Sequence, residues 1–439
     1  MKRFFFRHTI LLVIILLLVV ALCACDRPII GEETIPVVTI DFAGLPTKES
    51  YVPCTVSVVD HQGIRTIRSV KAEIRLRGHS TLSFDKKPYR VKFDRKTSFL
   101  DLGSGPSKSW VLLAEYVDQS LLRNYTTYRL AERILRDSFS TDAAHVSVTI
   151  NGVDQGVYLL AEQTQTTRHR IDLDESGIDD PGILDTGYLL ELESDQSRRD
   201  EEGTYMLDWF DIPEYTNNDV VYGWWNMHEH FLSPDASYYV IKSDAKSAEQ
   251  IEFIRNYLKD AYDRIYRLRS EEAVASAVVI DSAVDMYILQ LLTNDFDHNY
   301  SSSFLYKDKG SRIIFGPPWD YDLAFGNHAW NEDPDTIHVH HLLYELSRQS
   351  WFRALVRDRW NDLKDEDLFS TVEEEIRVTY AKYEETFQKN EDLWKDTRTD
   401  EDWHEIYRTF DSPKEAMEQM LEFIDLRIEF IDEQIESWT

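Results

Sequence analysis

From Ile35 to about Glu162, apolar and polar side chains alternate with the period of two that marks strands with one buried face. Val37, Thr39 and Phe42 open the series, and residues 54–59 continue it up to a turn at His61-Gln62-Gly63. Ile74 and Leu76 then fall on one face, with Glu73, Arg75 and Arg77 on the other, and residues 89–93 repeat the alternation. Residues 146–150 and 153–160 flank Asn151-Gly152. That pair supplies the two positive φ angles of a type I′ turn, so the stretch predicts a hairpin. One segment breaks the pattern. Leu121, Leu122, Tyr125, Tyr128, Leu130 and Ile134 recur at three- and four-residue intervals, predicting a helix among the strands and hence an α+β lobe.

The texture changes after Gln163. Residues 186–193 read as one more strand, whereas about 195 to 234 are polar, acidic and aromatic without periodicity, which predicts a long surface insertion. Helical spacing takes over at Ala248. Ile251, Ile254, Leu258, Ala261, Ile265 and Leu268 form one stripe, and Val284, Ile288, Leu291 and Leu292 a second. Ser412-Pro413-Lys414-Glu415 is a capping box that opens a last amphipathic helix through Ile424, Ile428, Ile431 and Ile435. The expected organisation is a β-rich N-terminal lobe over 36–194, an insertion over 195–247 and a helical C-terminal lobe over 248–439. There is no internal repeat.

The first residues read as an export signal. Lys2, Arg3 and Arg7 precede an uncharged apolar run over 10–22, and Leu22-Cys23-Ala24-Cys25 resembles a lipobox. Residues 1–25 are thus expected to be a lipoprotein signal peptide, with Cys25 lipidated and 26–35 a tether at the outer face of a membrane. Cleavage removes three basic residues and no acidic one, taking the formal net charge from −31 to −34. Such acidity excludes a nucleic-acid partner, whose phosphates demand Lys and Arg. Cys54 would be the one unmodified cysteine, so stability must come from an ordinary core.

The chemistry concentrates in residues 294–327. Two acidic pairs, Asp295/Asp297 and Asp320/Asp322, bracket two short strand-like runs joined at Lys309-Gly310-Ser311. A strand–turn–strand would bring the pairs together, and clustered carboxylates repel unless a cation such as Mg²⁺ lies between them. The run from Asp295 imitates an EF-hand but has Tyr300 and Tyr306 where that loop needs Gly and Glu. Two readings remain: solvated turn acids, or a phosphoryl-transfer site with one aspartate for the hydroxyl and one for the metal. The second needs a cationic partner. Arg75, Arg77, Lys86, Lys87, Arg90 and Lys92 form an isolated basic patch beside a Gly78-His79-Ser80-Thr81 loop, without the spacing of a P-loop. His338, His340 and His341 lack carboxylate or cysteine partners at ligand spacing.

RLRGHST, KKPYRVKFD, SWVLLAEYVDQSLLRNY, INGVDQGVYLLAEQ, TGYLLELE, SSSFLYKDKG and PPWDYDLAFGN, in this order over about residues 36–330, resemble the spore-coat protein H (CotH) kinase family. The resemblance implies a two-lobed atypical protein-kinase-like fold and an extracytoplasmic, membrane-anchored kinase. Such a transferase would move phosphate from ATP, with Mg²⁺ or Mn²⁺, to Ser or Thr of a surface protein such as a spore-coat component. By the same resemblance Asp320 is the metal aspartate and Asp297 the catalytic one. Lys86, Lys87, Arg90, Lys92 or Arg77 would face the nucleotide phosphates. Glu162 and Arg123 would support the site as an ion pair or from behind it, and Asp295 and Asp322 would assist. His79 departs from the Asn usual in the family after Arg-Gly. The alternative is a pseudokinase-like surface module without catalysis, contacting glycans through the aromatic insertion near Tyr222-Gly223-Trp224-Trp225.

Overall fold

The computed structural model describes residues 34–78, 80–194, 209–212, 215, 237–244, 247–299, 301–398 and 406–438. The lipobox with Cys25, the tether as far as residue 33, His79 and most of the insertion, including Tyr222 to Trp225, lie outside the described residues.

Seven strands close into a barrel: β1 (Val37–Phe42), β2 (Val52–Val59), β3 (Arg65–Leu76), β4 (Tyr89–Thr97), β5 (Ser107–Leu113), β6 (Ala143–Ile150) and β7 (Val153–Glu162). Their order is β1-β2-β3-β4-β5-β7-β6, sealed by a parallel pairing of β1 with β6. Closure removes the unpaired edges that an open sheet would expose. The alternation seen in the sequence points Val38, Ile40, Val56, Ile74, Val91, Trp110, Val148 and Leu160 into one core. Asn151 and Gly152, at φ 51° and 79°, make the tight turn between β6 and β7 as expected. Cys54 is free and buried, and burial pushes its thiol up to about 12.

The helix α1 (Arg123–Ile134) leaves the barrel between β5 and β6 and packs on the helical half. That half comprises α2 (Ala248–Asp263), α3 (Glu271–Ala275), α4 (Ile280–Thr293), α5 (His341–Ser347), α6 (Ser350–Asp365), α7 (Leu368–Trp394) and α8 (Pro413–Ser437). Every residue of α4 from Ser282 to Thr293 is buried, which makes it the central helix, apolar nearly all round. Ser412 caps α8 by accepting from the Glu415 amide at 3.2 Å, while the Glu415 carboxylate reaches back to the Asp411 amide at 2.7 Å. No helix among the described residues is long and apolar enough to cross a membrane.

Two expectations need correction. A second sheet, ordered β12-β11-β8-β10-β9, joins β8 (Tyr188–Ser194), β9 (Trp209–Phe210), β10 (Ser237–Ile241), β11 (Ser303–Lys307) and β12 (Ile313–Phe315). β8 therefore belongs not with the N-terminal strands but beside the acidic hairpin, Phe304 standing opposite Glu191. The insertion is also not wholly a surface excursion. Phe210, Ile212, Tyr215, Tyr239 and Ile241 are buried in the core of the helical half, in one cluster with Ile254, Leu258 and Tyr262 of α2.

Candidate active site

α4 stops at Asn294, which takes the left-handed conformation and ties the chain on both sides. Its side chain donates to Thr336 Oγ1 at 2.9 Å and accepts from the His338 amide at 3.1 Å. Its carbonyl accepts from Asn331 Nδ2 at 2.9 Å, and the same amide group reaches the Leu323 carbonyl at 2.8 Å. The loop before the hairpin is thus fastened to the loop after it. A 3₁₀ turn over Phe296–Asn299 follows, in which the Asp297 amide donates to Asp295 Oδ1 at 3.0 Å. β11 and β12 then fold back antiparallel, Leu305 opposite Phe315, and return the chain to Asp320.

Facing these acids is the exit of β5. Asn124 donates to both oxygens of Glu115, at 3.1 and 3.3 Å, and accepts from the Tyr321 amide at 2.6 Å. Asn327 donates to the Val117 carbonyl at 3.0 Å and the Asp322 carbonyl at 2.8 Å. Asp118 accepts from the amides of Ser120, Leu122 and Arg123 at 3.0, 3.0 and 2.8 Å, and so takes up one of the free amides at the start of α1. Between the walls runs a narrow cleft lined by Arg77, Thr81, Glu115, Asn124, Asp320 and Asp322. Gly78, at φ 95°, brings the loop in: a Cβ there would lie 2.1 Å from Thr81 Oγ1, a buried hydroxyl with no hydrogen-bond partner.

Six of the twelve non-glycine residues at positive φ among the described residues belong to these loops: Glu115, Leu121, Asn294, Ser302, Asp320 and Phe325. Each costs about 1–3 kcal/mol, and such strain gathers where function demands a particular geometry. The field is equally costly. Burial pushes the Asp322 carboxyl well up, and Asp320, Asp118 and Asp297 push it further. Asp295 is raised by burial, then by Asp297, Asp322 and Asp320, and its Oδ2 is buried without a partner. Burial raises Asp320 too, with Arg77 pulling down and Glu191 pushing up. Burial, Asp322 and Asp118 raise Glu115.

These shifts give a prediction of definite sign. A carboxyl raised in the folded state holds its proton longer than in the unfolded chain, so folding stability falls as pH rises from about 4 through the raised values. Asp295→Asn removes one such group and keeps the acceptor for the Asp297 amide. It is expected to raise the melting temperature at neutral pH by about 2–4 °C, about 1 kcal/mol, and to flatten the decline with pH. Thermal melts from acid to neutral pH would check it.

The anticipated residues divide sharply. Asp295, Asp297, Asp320 and Asp322 do converge, as the hairpin required. Among the basic candidates, Arg77 lines the cleft and lies over the Trp319 ring at 5.1 Å, but the others are committed elsewhere. Lys86 is 1% exposed and donates to the Val157 carbonyl and to Asn390 Oδ1, with its amine over the Tyr158 ring. Burial lowers it to about 7, with Arg398 adding to the effect. Lys87 donates to the carbonyls of Leu82 and Phe84, bracing the loop. Arg90 reaches Ser109 Oγ, and Lys92 is exposed over Tyr51. The supporting pair is also corrected. Glu162 pairs with Arg170 at 3.3 Å, whereas Arg123 pairs with Asp118 and donates to the Ala324 carbonyl at 3.0 Å and Gln419 Oε1 at 2.8 Å.

Sequence reasoning missed Glu115, Asp118, Asn124, Tyr128 and Tyr407. Tyr128 is raised by burial and by Asp320 and Glu115, and Tyr407 is raised to about 12 by burial, Asp322 and Asp297, so both stand within reach of the acids. For Asp118 and Asn124 the available signal was the polar density of residues 118–127 around an apolar stripe. The histidines are structural: His341 Nε2 lies 2.6 Å from the Tyr262 hydroxyl and His338 Nε2 3.1 Å from the Trp330 carbonyl.

The whole is a mixed α+β protein, β-rich at its N-terminal end and helical towards its C-terminus, whose acids, arginine and glycine loop meet in one cleft. A family model described as CotH kinase protein matches residues 74–431. The chain belongs to the CotH kinase family. The match takes in the helices beyond residue 330 as well as the motifs before it, while β1, β2 and most of β3 complete the barrel ahead of it. No curated protein matches the sequence. Family membership implies a kinase-like function in general, with use of a nucleotide and a metal.

Proposed function

We propose that the chain is an extracytoplasmic kinase, of two-lobed kinase-like fold and tethered through a lipid on Cys25, that transfers the terminal phosphoryl group of ATP to a Ser or Thr hydroxyl of a surface protein. The observation that carries this reading is the meeting of Arg77 and the unpartnered Thr81 hydroxyl with Asp320 and Asp322 across one cleft.

The residues fit a hard divalent cation. Oxygen donors cluster: burial raises both carboxyls, Asp320 raises Asp322 further, and Arg77 pulls Asp320 the other way. Mg²⁺ or Mn²⁺ would be held by one or two carboxylates and completed by phosphate oxygens. Asp320 and Asp322 would hold it. When bound, the cation neutralises charge on the phosphate oxygens.

The chain's own residues do the rest. Asp297 accepts a hydrogen bond from the incoming hydroxyl, aligns it and takes its proton as the new O–P bond forms and the bond from the γ-phosphorus to the bridging oxygen breaks. Arg77 faces the phosphate charge, and Thr81 donates a hydrogen bond to a phosphate oxygen. Asn124 and Asn327 keep the two walls at fixed separation. Incorporation of label from radiolabelled ATP with Mg²⁺ or Mn²⁺ tests the reading. Phosphate release without transfer would indicate a hydrolase. Absence of both label transfer and nucleotide-dependent thermal stabilisation would favour a non-catalytic binding module, the reading that the withdrawal of Lys86 from the cleft supports.

A crossed pair of substitutions separates binding from structure. Arg77→Ala is expected to weaken nucleotide binding about tenfold or more with little change in melting temperature. Lys86→Ala should leave the affinity unchanged and destabilise the fold by about 2–4 kcal/mol, since it leaves buried acceptors unpaired and opens a void. Calorimetric titration and thermal melts on both variants would decide.

A further inference from the structure

A small second cavity lies where α4, the Asp297 turn, the hairpin and the start of α5 meet, with Met286, Gln290, His298, Ser303, Tyr321 and His340 in its walls. His298 and His340 are each 1% exposed, and the Nε2 atom of each is buried without a hydrogen-bond partner. An orphan of this kind costs about 1–3 kcal/mol, so two facing one small space call for a shared partner.

The hydrogen bonds on the far side of each ring show what that partner must be. His340 Nδ1 accepts from the Leu342 amide at 3.2 Å, so it carries a lone pair, and the proton of the neutral ring must be on Nε2. His298 turns Nδ1 toward Ser303 Oγ at 3.4 Å, and that hydroxyl already gives its own proton to the His298 carbonyl at 2.8 Å. Nδ1 of His298 therefore bears the proton and Nε2 the lone pair. Burial keeps both rings neutral, lowering His298 to about 3 against a backbone hydrogen bond with Ser302 that pulls it up, and lowering His340 well below the ordinary histidine value, with His341 and His298 adding to the latter shift. The cavity presents one donor and one acceptor. A metal would need a lone pair on His340 Nε2 while Nδ1 keeps its own, which would make the ring an imidazolate. A single water can accept from one ring and donate to the other.

We propose that His298 and His340 clamp one ordered water between their Nε2 atoms, and that this water fixes the turn carrying Asp297. The His298 ring also packs on Tyr321, centroids 4.0 Å apart, between Asp320 and Asp322 in the chain, so one side chain touches both acidic segments. His298 and His340 are positioning residues in this scheme.

The test reads structure and protonation in the full chain, so it stands whether or not phosphoryl transfer is found. A crystal structure resolving ordered water should show one water about 2.7–3.2 Å from both Nε2 atoms. His340→Phe should lose it and move the Asp297 backbone by about 1 Å or more. His340→Gln, whose amide nitrogen can stand in for Nε2, should restore both. Nitrogen-15 histidine spectra of the wild type should show His340 protonated on Nε2 and His298 on Nδ1; these need no variant if His340→Phe fails to fold. A proton on Nδ1 of His340, direct contact between the rings, an anomalous metal peak in the cavity, or an unmoved turn in His340→Phe would each overturn the proposal.

Discussion

Asp320→Ala is expected to lower phosphoryl transfer about 10³-fold or more, equivalent to about 4 kcal/mol of lost transition-state stabilisation. Three observations set that size. Asp320 adopts φ 65°, a conformation that alanine shares no more comfortably, so the backbone gains nothing from the change. Arg77 is the charge that pulls its carboxyl down, and removing the carboxylate takes away that attraction across the cleft. The neighbouring Asp322 is a poor substitute, because burial first, and then Asp118 and Asp297, still raise its carboxyl once Asp320 is gone. Asp297→Asn should act differently, costing about 10²–10⁴-fold through the lost proton acceptor, with ATP-dependent thermal stabilisation retained. Steady-state rates beside nucleotide-induced melting shifts would distinguish the two. Equal loss of stabilisation in both variants would contradict the division of labour.

Arg123→Ala should be the most damaging single change to the fold, at about 3–5 kcal/mol. Arg123 is fully buried, and its removal leaves Asp118 charged and unpaired while that carboxylate still takes up an amide at the start of α1. Two further anchors go with it: the Ala324 carbonyl next to the acidic loop, and Gln419 on the last helix. Arg123→Met paired with Asp118→Asn should recover part of the loss, since no uncompensated charge remains. Denaturant melts of the two proteins would show it, and a full loss in both would place the effect in the lost Ala324 and Gln419 contacts instead.

The strands, the helix at 123–134 and the acidic hairpin were legible because local patterning governs them. Alternation settles which face of a strand is buried, and Asn-Gly settles the turn between β6 and β7. Barrel closure was not legible, since the parallel pairing of β1 with β6 joins segments more than a hundred residues apart with no mark in either. The same limit governed the site. Lys86 and Arg77 are both basic residues near a glycine loop, and the positions of Val157 and Asn390, far along the chain, draw one of them into the core. Arg123 meets the acid nearest to it in the sequence, five residues away, whereas the motifs suggested Glu162, which Arg170 takes up instead.

The helix α8 has a consequence for when the cleft is assembled. Gln419, Phe423 and Arg427 are successive turns along one side of α8: the first holds Arg123, the second fills the space left by Gly326, and the third satisfies the Leu291 carbonyl at the end of α4. The barrel precedes all of these in the chain and has its own core, so it can form while synthesis continues. The cleft cannot. A ribosome must release the chain through α8 before the acidic loops are braced, so the cleft takes shape only after that helix has emerged.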